Sequence, residues 1–330
     1  MKLKNFILNL AEGSGLLRFL QLSRRKETNS LYVLNYHRVD EVNHRPWLNP
    51  ELISTTPYEF EKQMRLLASY YQPVKAEEVL RAAHGEETLP SQAVLVTVDD
   101  GYLDYKEVIF PIAQRYGIFP VLFVPTAFVG QGRFWWDQLY QVIYLSSIKQ
   151  LSTPLGLFSV RSEDEKKRTY QRLVQFVQST PFEKVNALLD EWVALGVWNK
   201  EKKRVTLNWD ELRELSRLGT VIASHTHTHP ILSQVSPEQA RKEIRNSQQL
   251  IQKEIGKSLP IFAYPYGGLN SFNPTIEKIL IKEGFQMAFT TQAGIARIGK
   301  DDYRQLHRIG IWSTVSLAKF HYHLIPIYQR

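Results

Sequence analysis

Residues 94–101 read Val-Leu-Val-Thr-Val-Asp-Asp-Gly, a β-branched strand that ends in two adjacent carboxylates. A helical pattern follows over residues 103–116, then Gly117 as a helix stop, and then a second apolar run over residues 121–124. Strand, helix and strand in this order predict a right-handed βαβ unit with two parallel neighbouring strands. The two carboxylates are therefore expected at the carboxyl edge of a parallel sheet.

The same alternation extends along most of the chain. Further strands are predicted at residues 31–36, 221–223, 261–263, 287–290 and 309–311, and capped helices begin near Pro57, Trp209, Pro237 and Pro274. No Gly-rich nucleotide loop follows the first strands, which favours a closed or nearly closed (β/α) barrel over an open sheet. Residues from about 131 to 206 break the alternation and are predicted to form a helical insertion over the barrel mouth.

Composition limits the classes of function. The 330 residues include 43% hydrophobic residues and carry a net charge of +8, which suits either an anionic partner or simply a soluble basic surface. No module that reads DNA or RNA is visible, so we predict no nucleic-acid partner. The absence of cysteine excludes disulfides and thiolate ligands, so a metal ion would need histidine and carboxylate ligands.

The first 30 residues form a basic segment whose apolar run is short and interrupted. They lack the pattern of a signal peptide, and no stretch of the chain is apolar enough to span a bilayer. We therefore predict a cytoplasmic protein, either free or peripheral at the inner membrane surface. The segment would either lie on a membrane or pack on its own domain, residues 31–330, through Phe6, Ile7, Leu10, Leu17, Leu20 and Leu22.

Two motifs at predicted strand ends could hold a metal ion. Asp99 and Asp100 are either a functional carboxylate pair or a turn with a helix cap. Three of the nine histidines, His225, His227 and His229, fall within five residues. An extended backbone would place all three on one face, whereas a helical turn would pair His225 with His229.

Other candidate residues are weaker when taken singly. Residues 262–267, Phe-Ala-Tyr-Pro-Tyr-Gly, form either a plain turn or a turn that offers a backbone N–H to an oxyanion. His37 and His307 are each either a proton donor or a structural histidine. Candidates for the mouth of the barrel are Asp40, Tyr102, Trp136, Asp137 and Trp312, with core packing as the alternative for the tryptophans. Together, the carboxylate and histidine pairs suit a His-His-carboxylate metal site with a spare carboxylate as general base.

These stretches together resemble the polysaccharide deacetylase family, the carbohydrate esterases with a NodB homology domain. Its T-F-D-D-G, H-[ST]-x-x-H-P and R-x-P-Y-G motifs are similar to residues 97–101, 225–230 and 263–267. The resemblance runs from about Leu31 to Trp312 and implies a distorted (β/α) barrel of NodB type that removes N-acetyl groups from sugars.

The resemblance also implies roles for individual residues. Asp99 would be the general base, and Asp100, His225 and His229 would hold a divalent metal, most often zinc, with His227 a neighbour only. The backbone N–H of Tyr266, between Pro265 and Gly267, would stabilise the oxyanion.

The sequence departs from the family motifs at two positions. The arginine that orients the base in the family is Ala263 here, and Arg308 is a candidate substitute. The late histidine motif of the family is not clear near residues 309–311. The first strand instead ends in Leu-Asn-Tyr-His at residues 34–37, which resembles circularly permuted members that deacetylate exopolysaccharides. We therefore predict His37 as the general acid, with His307 as the alternative.

The predicted function is metal-dependent removal of N-acetyl groups from a polysaccharide, an oligosaccharide or a lipid-linked precursor in cell-envelope or exopolysaccharide synthesis. One alternative is hydrolysis of a small amide or formamide on the same scaffold. Another is glycan binding by a protein with a vestigial site. The sequence specifies neither the sugar nor the oligomeric state.

Overall fold

The computed structural model describes residues 28–130, 134–180, 182–195, 204–312 and 316–324. The apolar positions of the N-terminal segment, from Phe6 to Leu22, lie outside these residues, so their predicted packing stays a prediction. No helix in the described ranges is both long and apolar enough to cross a lipid bilayer.

The strands of the described residues are mostly short and buried. In chain order they are β1 (Ser30–Tyr36), β2 (Arg38–Val39), β3 (Ile53–Thr55), β4 (Gln72–Pro73), β5 (Ala93–Asp99), β6 (Val121–Val124), β7 (Gln150–Thr153), β8 (Gly156–Ser159), β9 (Ile222–Ser224), β10 (Ile261–Ala263), β11 (Met287–Phe289), β12 (Ala296–Arg297) and β13 (Ile309–Gly310).

The helices lie between these strands in the expected alternation. They are α1 (Pro57–Tyr70), α2 (Ala76–Ala83), α3 (Phe110–Arg115, preceded by a π-helical turn over Tyr105–Ile109), α4 (Trp135–Tyr140, continued by a π-helical turn over Gln141–Leu145), α5 (Glu163–Gln178), α6 (Phe182–Leu195), α7 (Trp209–Arg217), α8 (Pro237–Ile255), α9 (Pro274–Lys282) and α10 (Leu317–His323).

The main sheet is parallel along β11-β10-β9-β6-β5-β1, and it curls until its two ends approach the same segment. Leu306 pairs in parallel with Phe289 of β11, and a few residues later Ile309 pairs in parallel with Leu34 of β1. Residues 306–310 therefore link the two edges. The predicted distorted (β/α) barrel is confirmed.

Between β6 and β9 the chain leaves the barrel alternation. Helices α4, α5 and α6 and the antiparallel hairpin β7–β8 lie here, and the sequence analysis did not predict the hairpin. Their shared apolar cluster centres on Phe134, Trp136, Leu173 and Trp192, all buried. The same cluster includes Leu48 and Tyr102, so this excursion packs against the rest of the barrel beside the carboxyl edge of β5.

Helix α7 begins at the capping box that the sequence predicts. The side chain of Asn208 accepts a hydrogen bond from the backbone N–H of Glu211 at 2.9 Å, and the Glu211 carboxylate accepts one from the Asn208 N–H at 2.8 Å. These two bonds satisfy backbone donors that a helix leaves open in its first turn.

Replacing Asn208 by alanine should lower the free energy of unfolding by about 1 kcal/mol, because one of these donors loses its acceptor. The control is Asn246→Ala at an exposed position within α8, where alanine is the better helix former and no loss is expected. Urea unfolding of both variants measures the difference, and equal losses would contradict the capping role.

Candidate functional site

The candidate site lies where the central parallel strands end. Asp99 is the last residue of β5, and Asp100 follows it with φ of 77°. His225 follows β9 directly, and His37 follows β1. Because parallel strands present their carboxyl ends on one edge, these side chains converge although they are far apart in sequence.

Arg308 is fully buried and forms a bidentate ion pair with Asp99. Its Nη1 donates to Asp99 Oδ1 at 2.9 Å and its Nη2 to Asp99 Oδ2 at 2.8 Å. Such fork-to-fork pairing fixes the carboxylate plane as well as its charge. Burial acts to raise the pKa of Asp99, but the charges of Arg308 and His225 and the hydrogen bonds from Arg308 outweigh it and lower the pKa to about 2. Asp99 is therefore ionised at neutral pH.

The same guanidinium also ties three strands together. Arg308 Nε donates to the carbonyl oxygen of Thr290 at 2.8 Å, just after β11, and Nη1 reaches Asn35 Oδ1 of β1 at 3.1 Å. Nη1 also lies 3.2 Å from Thr97 Oγ1 of β5. Arg308 thus lies at Asp99, where the sequence suggests it as a candidate substitute for the family arginine. It belongs to the segment that links the two edges of the barrel.

Asp100 lies in the opposite electrostatic environment. Its Oδ1 is buried and has no hydrogen-bond partner among the described residues. Burial raises its pKa well above the usual range, and the charges of Asp99 and Asp137 raise it further. A buried carboxylate oxygen without a donor is costly unless a proton or a cation compensates it.

Two imidazoles face this oxygen. His229 Nε2 lies 3.5 Å and His225 Nε2 3.9 Å from Asp100 Oδ1, and the two Nε2 atoms are 3.2 Å apart. One ligand atom from each of the three residues falls within 4.8 Å of the others. Burial lowers the pKa of both histidines, so both offer neutral imidazole nitrogens. One carboxylate and two neutral imidazoles form a donor set that fits a divalent transition metal.

The backbone between the two histidines turns, so the extended alternative does not hold. Thr226 and His229 adopt φ of 67° and 61°, and the Thr226 hydroxyl accepts from the His229 N–H at 3.0 Å. This places His225 and His229 together, while His227 Nδ1 pairs with Thr126 Oγ1 at 2.9 Å, away from Asp100. Left-handed backbone at residues that carry side chains is strained, and such strain often occurs at functional sites.

Two contacts that the sequence did not reveal hold this turn. The Glu243 carboxylate of α8 accepts from the N–H groups of His227 and Thr228 at 3.0 and 2.7 Å and from the Thr228 hydroxyl at 2.8 Å. His225 Nδ1 donates to the carbonyl oxygen of Ala263 at 2.7 Å, which leaves Nε2 to face Asp100. A backbone acceptor has no sequence signature, so Ala263 could not have been singled out in this role.

His37 interacts electrostatically with both members of the ion pair. The charges of Asp99, Arg308 and His225 all act on His37, whose pKa burial lowers to about 4. Its buried Nδ1 has no hydrogen-bond partner in the part of the chain that the structure describes. His307 instead packs against Gly294, where an added Cβ would meet its Nδ1 at 2.2 Å.

The remaining mouth candidates divide into buried and exposed residues. Tyr102, Trp136 and Asp137 are buried and bonded to one another: Trp136 Nε1 donates to the Tyr102 hydroxyl at 2.7 Å, which donates to Asp137 Oδ2 at 2.7 Å. Asp40 is buried and forms ion pairs with Arg38 and Arg45. Trp312 is 48% exposed, with its ring 5.1 Å from that of His37.

The third motif also reaches the site. Tyr266 has φ of 63°, and its ring lies 5.2 Å from that of His229. Gly267, with φ of 62°, sits so close to the backbone of Thr291 that an added Cβ would lie 2.6 Å from the Thr291 nitrogen. The tight approach explains why this turn needs glycine after Tyr266.

Comparison with known proteins agrees with this architecture. The family model described as polysaccharide deacetylase matches residues 86–288. The poly-beta-1,6-N-acetyl-D-glucosamine N-deacetylase of Escherichia coli (strain K12) is 23% identical over 273 residues, which are 79% of this chain and 34% of that protein. The chain thus belongs to the polysaccharide deacetylase family, and it spans about a third of the length of this curated relative.

Two solved structures share the fold. The Streptococcus pyogenes deacetylase PplD matches with a TM-score of 0.60 and 20% identity, over 90% of this chain and 99% of that one. IcaB from Ammonifex degensii matches with a TM-score of 0.58 and 20% identity, over 90% and 97%. The family match at residues 86–288 leaves out His37 and Arg308, which the barrel nevertheless brings to Asp99 from either end of the chain.

Substitution of Arg308 by methionine should lower the free energy of unfolding by about 3–5 kcal/mol, because the Asp99 carboxylate would remain buried without a partner. Adding Asp99→Asn should recover part of that loss. Chemical denaturation at neutral pH measures both effects.

The matched control is Arg245, whose side chain is 44% exposed and which forms a bidentate pair with Glu283. Arg245→Met should change stability by no more than about 1 kcal/mol, because water screens the exposed guanidinium and Glu283 keeps its ion pair with Arg241 at 2.6 Å. If Arg308→Met and Arg245→Met lowered the free energy of unfolding by the same amount, the buried pair of Arg308 with Asp99 would not have the stabilising role inferred from its geometry.

Proposed function

We propose that this protein hydrolyses N-acetyl groups from an N-acetylated saccharide in a metal-dependent reaction. The observation that carries the proposal is the pairing of two adjacent acids with different partners: Asp99 with Arg308, and Asp100 with His225 and His229. Membership of the polysaccharide deacetylase family supports the same chemistry. The Escherichia coli relative is a poly-beta-1,6-N-acetyl-D-glucosamine N-deacetylase, which favours N-acetylglucosamine polymers as the substrate class.

Asp100, His225 and His229 would hold the metal ion. This assignment is supported by Asp100 Oδ1, which is buried and has no hydrogen-bond partner within the described ranges. Zinc suits the mixed carboxylate and imidazole donors, and three protein ligands leave a position open for water or substrate. When bound, the ion supplies Lewis acidity, which activates water and polarises the acetamide carbonyl.

Asp99 would be the general base. Its pKa of about 2 keeps it ionised, and the Arg308 fork holds its carboxylate in one orientation beside the proposed ligands. We propose that it accepts the proton of the water that attacks the acetamide carbon. In the family, an arginine at the position of Ala263 orients the base. Arg308 would orient Asp99 in its place.

His37 would be the general acid that protonates the leaving amine, and the Tyr266 N–H would donate to the oxyanion. His37 is uncharged at neutral pH in the resting protein, since its pKa is about 4. The proton that Asp99 takes from the attacking water would therefore pass to His37, which would deliver it to the leaving nitrogen as the C–N bond breaks. Residues 31–330 would form one catalytic domain, with the stretch near 131–206 as an insertion.

Purified protein supplied with zinc should release acetate from N-acetylglucosamine oligomers, and dialysis against a chelator should abolish the release until a divalent metal is restored. An enzymatic acetate assay measures this directly. Formate release, or activity on small amides alone, would contradict a saccharide deacetylase. Full activity after complete metal removal would contradict metal dependence and leave deacetylation standing.

His37→Gln should lower kcat by about 100-fold, the usual range for loss of a general acid. The control is His307→Gln, which alters a histidine of the same segment as Arg308 and should stay within about twofold of wild type. Steady-state kinetics on one oligomer compares the two variants. The reverse ranking would make His307 the acid.

A further inference from the structure

A cavity of about 350 Å³ opens beside the candidate site, on the side of His229 and Tyr266. One wall is the end of α5 and the residues after it, Val177 to Thr180, together with Val185 of α6. The opposite wall is the segment from Pro230 to Ser236 and the first turns of α8. The cavity therefore lies between the barrel and the insertion, and its inner end reaches a proposed metal ligand.

The lining combines apolar surface with uncharged polar groups. Trp135, Val185 and Ile231 provide apolar surface, while Gln178, Gln234 and Gln239 provide amides. Apolar contact area with a few convergent hydrogen-bonding groups is the usual make-up of a small-molecule site. A pyranose ring has the same make-up, with C–H faces and hydroxyls around its edge.

The only formal charge in the lining, among the described residues, is the carboxylate of Glu243. Four donors already bond this carboxylate: the N–H groups of His227 and Thr228, the Thr228 hydroxyl and, at 3.2 Å, Gln239 Nε2. Glu243 is thus committed to holding the histidine turn. Among the residues that the structure describes, the lining thus offers no cation to an anionic ligand and contributes one negative charge.

We propose that this cavity binds an uncharged sugar residue of the substrate, adjacent to the residue that is deacetylated, and disfavours sugars that carry a carboxylate or phosphate. The inference rests on the proposed function and makes it narrower. The volume accommodates one ring with its substituents. This selectivity belongs to the cavity and not to the whole protein: the sequence has a net charge of +8, but none of the described lining residues is a cation.

Binding can be measured apart from catalysis in an Asp99→Asn background. Calorimetric titration with the tetrasaccharide of N-acetylglucosamine should give a Kd that rises about tenfold when Ile231→Trp narrows the cavity. The control is Ile281→Trp, at an isoleucine of α9 that is 54% exposed and outside the lining, and its Kd should not change. Circular dichroism checks that each variant is folded.

The charge preference has its own pair of variants. We compare the affinity for a tetrasaccharide of alternating N-acetylglucosamine and glucuronic acid with the affinity for the neutral tetrasaccharide. The ratio of the first to the second should rise about fivefold in Gln234→Lys, at the exposed rim. Gln249→Lys adds the same charge at an exposed position of α8 outside the lining and should leave that ratio unchanged.

The outcomes separate the two claims. Unchanged affinity in Ile231→Trp, or equal ratios in Gln234→Lys and Gln249→Lys, would overturn the cavity assignment even if wild type released acetate. Wild-type protein that released no acetate, with the binding differences intact, would overturn the proposed function and leave the sugar cavity standing.

Discussion

The buried ion pair between Arg308 and Asp99 is the interaction on which the rest of the site depends. It neutralises one of two adjacent acids at the barrel's carboxyl edge, and it links β11, β1 and β5 through a single guanidinium. Burying a charge pair is costly unless the geometry satisfies every donor and acceptor nearby, and this pair is bidentate with further acceptors at Thr290 and Asn35. Barrel closure and orientation of the proposed base therefore have the same physical origin.

The second acid shows why the pair matters. Asp100 has no arginine, its Oδ1 has no donor among the described residues, and the charge of Asp99 makes its ionisation harder. Two imidazoles turned toward it complete a set of groups that a divalent cation would satisfy together. The insertion contributes from the other side: Asp137 accepts from Tyr102 and from the Asn49 N–H at 2.8 Å, and the ring of Trp136 lies 5.0 Å from that of His229.

Much of this organisation could be predicted from the sequence. Capping residues, such as the one before Trp209, and glycine stops such as Gly117 act locally, so these helix limits were predicted to within a few residues. The convergence of Asp99, Asp100 and the histidines followed from their places at strand ends. The spacing of the histidines alone did not select His225 and His229 over His227, because that choice depends on a strained turn fixed by Glu243 from another helix. Only the resemblance to the family motif implied it. The carbonyl of Ala263 and the cavity beside His229 arise only when distant segments meet, and single-sequence patterns carry no trace of them.

A crystal structure of the zinc-soaked protein, with anomalous scattering collected at the zinc edge, tests the division of roles between the two acids. We expect one ion whose protein ligands are Asp100, His225 and His229, with Asp99 still paired to Arg308 and making no bond to the metal. An ion bound by Asp99, with the Arg308 pair broken, would contradict this division of roles. A crystal soaked to saturation with zinc that showed no ion at this edge of the barrel would contradict it as well.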